Sequence, residues 1–204
     1  MKKALSATIV CLLGLTGLRL GQGFGEGAKE GAKPALQVTI KAPQAEYKAG
    51  ERILLQMFIK NVSDKTVRII GYLDGSDFGW RYPKYTLIVK DAEGKAVPRP
   101  PAARCGNTNA LGKADFVTLK PGDSLDPLSI EDGPIQSRHY FVQRLALREA
   151  GKYSIQITYD TRGQTAEDWN GKVSSPTLSP EVQELLKEVP RGLFESNVLQ
   201  VTVK

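Results

Sequence analysis

The residues best suited to chemistry in this sequence are aromatic and crowded together. Gly71–Tyr85 (GYLDGSDFGWRYPKY) holds Tyr72, Phe78, Trp80, Tyr82 and Tyr85, in a chain that is 7% aromatic overall. Asp77 and Arg81 are interleaved with the rings. Aromatic faces beside charged edges supply the apolar contact and the directional polar contact that recognition sites combine. Asp77, Phe78, Trp80, Arg81 and Tyr82 are therefore the candidate ligand-binding set, with Trp80 and Tyr82 as stacking or packing anchors and Asp77 and Arg81 as polar contacts. The competing expectation is that Phe78 and Trp80 fold inward and cap the core.

Catalytic chemistry has much less to work with. A serine or cysteine nucleophile needs a base within hydrogen-bond reach. The chain has one histidine, His139, beside Arg138 and Tyr140, and no G-x-S-x-G elbow to partner it. Cys105 lies in Arg104-Cys105-Gly106-Asn107, where the neighbouring cation can lower a thiol pKa, but no second group supports it. Metal ligation asks for spaced pairs such as H-x-x-H or C-x-x-C, and neither occurs. Asp74-Gly75-Ser76-Asp77 offers oxygens at calcium-loop spacing without the later bidentate glutamate, so it reads as a polar turn. No glycine-rich phosphate loop joins a strand to a helix. The expectation is a non-enzymatic chain with no catalytic residues, no metal and no cofactor.

Composition narrows the partners. The 204 residues carry a formal charge of +6 and two cysteines. Lys2 and Lys3 precede Ala4–Leu18 (ALSATIVCLLGLTGL), an uncharged apolar run shorter than the ~20 residues that span a bilayer. Residues 1–23 thus read as an export signal, and membrane contact is expected only through it, before cleavage. Its loss removes Lys2, Lys3 and Arg19, which lowers the formal charge from +6 to +3. No run of five like charges remains, which argues against nucleic acid as a partner. Cys11 leaves with the signal, so Cys105 has no partner for an internal disulfide and a hydrophobic core must supply the stability. The expected location is exported, periplasmic or at the cell surface.

The elements that position the aromatic segment are strands. Residues 24–35 (FGEGAKEGAKPA) repeat Glu-Gly-Ala-Lys and read as a flexible leader. A domain then runs from residue 36 to 204. Its clearest strand lies in Leu147–Asp160, where Tyr153, Ile155, Ile157 and Tyr159 alternate with Ser154, Gln156, Thr158 and Asp160. Leu147, Gly151 and Tyr153 have the spacing of a corner at which the tyrosine hydroxyl ties back to upstream backbone. Further strands are expected over Leu36–Lys41, Arg52–Asn61, Thr66–Ile70, Lys84–Asp91, Phe116–Leu119, His139–Leu147 and Asn197–Val203. Leu54 and Phe58 suggest that the Arg52–Asn61 strand is central and covered on both faces. Residues 161–196 are too long for a hairpin. Within them Ser179-Pro180-Glu181 is an N-cap, a first-turn proline and a first-turn acid, opening a helix to about Val189. Its Val182, Leu185, Leu186 and Val189 stripe would seal one end of the strands. If strands alternate in direction, Gly71–Pro83 and Arg99–Ala114 leave from the same end. Cys105 and Asn107-Thr108-Asn109 then flank the aromatic residues.

The order of the turns resembles a known group of domains. Ala49-Gly50-Glu51, Asn61-Val62-Ser63-Asp64, Asp91-Ala92-Glu93-Gly94-Lys95, Leu119-Lys120-Pro121-Gly122-Asp123 and Gly151-Lys152-Tyr153 occur in sequence. In this the chain resembles exported bacterial immunoglobulin-like domains, and is similar also to small β-sandwich domains of the intracellular proteinase-inhibitor type. The resemblance spans residues 36–160 and the last strand, and the 161–196 insertion departs from it. It implies an all-β, immunoglobulin-like antiparallel sandwich with one short helix in the insertion, and speaks to fold more than to activity. The expected role is a non-catalytic binding or assembly module whose partner is a protein segment or a cell-envelope polysaccharide. A proteinase inhibitor and a purely structural domain are the alternatives.

Overall fold

A computed structural model describes residues 34–71, 81–98, 111–128, 145–170 and 177–204. Among them the strands are β1 (Leu36–Lys41), β2 (Glu46–Tyr47), β3 (Gln56–Asn61), β4 (Val67–Ile70), β5 (Lys84–Lys90), β6 (Phe116–Leu119), β7 (Ser124–Leu125), β8 (Gly151–Asp160), β9 (Leu193–Glu195) and β10 (Leu199–Val203). Two helices, α1 (Ala166–Asn170) and α2 (Pro180–Lys187), lie between β8 and β9, and a 3-10 turn (Lys113–Asp115) precedes β6. The strands form a three-stranded sheet β1-β3-β7, a larger sheet β2-β10-β8-β5 with β9 also on β8, and a ribbon β4-β6. Every strand pair is antiparallel except the short β2–β10 contact. The fold is an all-β sandwich.

The alternation in β8 builds the interior. Tyr153, Ile155, Ile157 and Tyr159 are all buried, and they meet Leu36, Val38 and Ile40 of β1 and Met57 and Ile59 of β3 in one apolar cluster. Removing such side chains from water is the main source of stability in a chain without an internal disulfide. Tyr153 closes the corner as its spacing implies: its hydroxyl donates to the Glu149 carbonyl at 2.9 Å. Gly122 takes a positive φ of 87° in the turn between β6 and β7, a conformation that costs a residue with a Cβ more than glycine.

Three expectations from the sequence change in the folded chain. Arg52–Asn61 is not one strand covered on both faces. Only its second half joins β1 and β7, while Arg52 and Ile53 pair with Ala146 and Leu145, and Leu54 is 53% exposed. The Asn197–Val203 strand is preceded by an unforeseen strand, β9, and the break between β9 and β10 is sealed by side chains. Ser196 Oγ accepts the Ile157 N–H at 3.0 Å, while the Asn197 amide accepts from the Ile40 N–H at 2.8 Å and donates to the Ile40 carbonyl at 3.2 Å. A side-chain amide thus occupies the place of a neighbouring strand along the edge of β1.

The third change concerns the insertion. The helix forms where its signals lie: Ser179 Oγ accepts the Val182 N–H at 3.3 Å and Pro180 opens α2. It does not plug the main core. It covers the outer face of the β4–β6 ribbon, because successive ribbon residues point opposite ways. Ile69 faces the main cluster, whereas Ile70 joins Leu111, Trp169, Leu178, Val182, Leu186 and Val189 in a second cluster. Phe116, opposite Ile70 in the ribbon, packs against the same group, and Arg68 on that face pairs with Glu188 beyond the helix at 2.6 Å.

Candidate functional site

The two stems of the aromatic segment converge on the second cluster. Gly71 follows β4, and its N–H donates to the Asp115 carbonyl at 2.9 Å. Space is tight at this point, since a Cβ on Gly71 would stand 2.8 Å from Val117 Cγ2. At the other stem the Tyr82 N–H donates to the Asp168 carbonyl of α1 at 2.8 Å. Leu111, at the end of the neighbouring connection, lies in the same cluster. The stems at Gly71, Tyr82 and Leu111 thus share one end of the fold, as strand counting requires.

Tyr82 belongs to a stack of four side chains. Lys84 Nζ sits 4.5 Å from the centre of the Tyr82 ring, Tyr82 and Trp169 are 5.6 Å apart and tilted by 42°, and Arg191 Cζ lies 4.4 Å from the Trp169 ring. Cations over ring faces are drawn by the ring quadrupole, and the tilted ring pair avoids face-to-face repulsion. Hydrogen bonds fix the members of the stack. The Trp169 indole donates to the Gly163 carbonyl at 3.1 Å, and Arg191 donates to the carbonyls of Gly163 and Leu186 at 3.2 and 3.1 Å.

Arg81 is wholly buried, and its guanidinium donates to the Tyr82 carbonyl at 3.3 Å. Tyr82 is half-buried. These two members of the candidate set therefore act from the base of the segment instead of presenting open faces. Asp77, Phe78 and Trp80 lie outside the described residues, as do Cys105, the Asn107–Asn109 cluster and His139. Among the described residues no three His, Cys, Asp or Glu side chains converge as metal ligands would.

Trp169, Arg191, Gly163 and Thr161 had no place in the sequence reading. Thr165-x-x-Asp168 was a legible sign of α1, since it is a capping pair. Asp168 Oδ2 accepts the N–H groups of Gln164 and Thr165 at 2.7 and 2.9 Å, and Thr165 Oγ1 accepts the Asp168 N–H at 3.3 Å. The Thr165 amide bond is the largest cause holding the Asp168 carboxyl below its ordinary pKa. A carboxyl depressed by folding contributes stability that is complete above its unfolded pKa and lost as pH falls through the folded one. Acidification from the ordinary carboxyl range downward should therefore loosen α1 before the sandwich. Amide shifts of Gln164 and Thr165 should follow that titration and stay flat in Asp168→Asn. A titration of those amides that persists in the variant would assign it to another group.

No family model matches the chain, and no curated protein matches it. Among solved structures the chain is similar to the CARDB domain of a Pyrococcus furiosus protein. The crystal structure of that domain, in complex with di-metal ions, is 14% identical over 84% of this chain and 89% of that one, with a TM-score of 0.31. Its solution NMR structure is 13% identical over 83% and 94%, with a TM-score of 0.31. Backbones that overlay so loosely bear on neither fold nor function, and the sandwich assignment rests on the strand pairing and the shared core.

Proposed function

We propose that this chain is an exported, non-catalytic binding or assembly module that recognises a protein segment or a cell-envelope polysaccharide through its end loops. Asp77, Phe78 and Trp80 are the contacting residues in this reading, and Arg81 and Tyr82 are the anchors beneath them. The observation that carries it is the clamping of both stems, Gly71 on Asp115 and Tyr82 in the Lys84–Tyr82–Trp169–Arg191 stack. Fixing the stems before a ligand arrives lowers the ordering cost of binding. Loops held by a rigid sheet frame are where binding residues concentrate.

The experiment compares the full chain with Trp80→Ala in cosedimentation with insoluble cell-wall polysaccharide and on an array of extended peptides. Loss of a central aromatic anchor should weaken binding by about tenfold or more while the melting transition stays nearly unmoved. A fall of several degrees in melting temperature with unchanged binding would place Trp80 in the core and end the proposal.

A further inference from the structure

The insertion has the construction of a separate folding unit. Its ends are pinned to each other: the Thr161 N–H donates to the Gly192 carbonyl at 2.9 Å, and the buried Thr161 Oγ1 accepts the Gly192 N–H at 3.0 Å and donates to the Pro190 carbonyl at 2.6 Å. Immediately outside that pin, Asp160 pairs with Leu193 at the start of the β8–β9 ladder. The helices therefore leave and re-enter the sandwich at one point, and the ladder does not need them to stay paired.

Inside the excursion the apolar side chains form a core of their own. Trp169, Leu178, Val182, Leu186 and Val189 share no member with the main cluster, and they meet the sandwich through Ile70, Leu111, Phe116 and Tyr82. Beyond the stem, the backbone hydrogen bonds tying α1 and α2 to the rest of the described residues are Arg68 to Glu188 at 3.4 Å and Tyr82 to Asp168 at 2.8 Å. The ion pairs Arg68–Glu188 and Lys113–Glu181 are partly or largely exposed, where such pairs hold weakly. β8, by contrast, has strands along both edges.

We propose that Thr161–Gly192 is a hinged cap that opens as one unit about the Thr161–Gly192 pin while the sandwich beneath stays folded. A region with its own small core, few ties and one pinned stem draws on the low end of the stability range within a fold. Opening uncovers Ile70 and Phe116 on the ribbon and strips Trp169 from Tyr82. The proposal stands on the packing alone and does not depend on the identity of any ligand.

Native-state hydrogen exchange on the full chain, in mild denaturant, tests it. The reporters in the cap are the Gln183 and Val189 amides and the Trp169 indole; those in the sandwich are the amides of Tyr153–Tyr159. The cap reporters should exchange at least about a hundredfold faster than the β8 amides. Leu186→Ala removes a buried cap side chain and should speed cap exchange by roughly thirtyfold or more, leaving β8 within about twofold. Val182→Ala, a smaller truncation, replaces it if that variant fails to fold. Equal exchange of cap and β8 in the wild-type chain, or parallel acceleration in the variant, would show a single cooperative unit and overturn the proposal.

Discussion

Asn61→Ala is expected to destabilise the fold by about 3 kcal/mol, the cost of leaving more than one buried polar group without a partner. Asn61 ends β3 fully buried, and its side chain is saturated. Nδ2 donates to the carbonyls of Lys65 and Leu119 at 2.7 and 2.9 Å, while Oδ1 accepts from the Ser63 N–H and hydroxyl at 3.0 and 2.7 Å. Its main chain pairs with Gly122 and Asp123 across the turn from β6 to β7. One amide thereby ties β3, the turn into β4 and the end of β6. The main-chain bonds survive substitution, but the Leu119 carbonyl loses its donor in a site closed to water. For a chain of this size the melting temperature should fall by about 10 °C. Asn61→Asp tests the direction of the bonds, because a carboxylate keeps the acceptor and loses both donors. It should be no better than alanine. Chemical denaturation that puts Asn61→Ala within about 1 kcal/mol of the wild type would mean the turns hold without this amide.

Gly163→Ala should cost nearly as much for a different reason. A Cβ built on Gly163 stands 2.6 Å from Trp169 Nε1, 2.9 Å from Trp169 Cε2 and 2.9 Å from Tyr82 Cδ2. All three are ring atoms, so no flexible chain end can swing aside. Trp169 has to move, which lengthens its indole bond to Gly163 and separates it from Tyr82 and Arg191. Overpacking of this kind costs about 1–3 kcal/mol, with a buried donor left unmade in addition. The variant should show a red-shifted tryptophan emission at temperatures where the sandwich is still folded. Gly94→Ala is the contrast: nothing lies within 4 Å of its Cβ position, and only its positive φ of 79° opposes the change. Emission and melting indistinguishable from the wild type in Gly163→Ala would refute the close packing of the stack.

Much of the frame was legible before the structure because it is written in neighbouring residues. The two-residue period of Tyr153–Tyr159 marks a strand with one buried face wherever the chain happens to sit. Ser179-Pro180 marks a helix start, and Lys120-Pro121-Gly122-Asp123 marks a turn, for the same local reason. Leu54 misled because an apolar residue at the right spacing says nothing about whether a second layer covers it, and here none does.

The site behaved differently. The sequence could crowd rings into Gly71–Tyr85 and name Arg81 and Tyr82, but not say that Arg81 would be buried or that Tyr82 would lie on Trp169. Those outcomes depend on where the 161–196 insertion lands, which is set by meetings such as Arg68 with Glu188, 120 positions apart. Asn197 reaching the edge of β1 is a meeting of the same kind, 157 positions apart. The sequence by itself determined the strands, the corner, the turns and the helix, since their hydrogen bonds and periodicities close within a few residues. The tertiary structure alone decided which face the helix covers and what stands beneath the aromatic segment, because packing between distant stretches leaves no periodic mark along the chain.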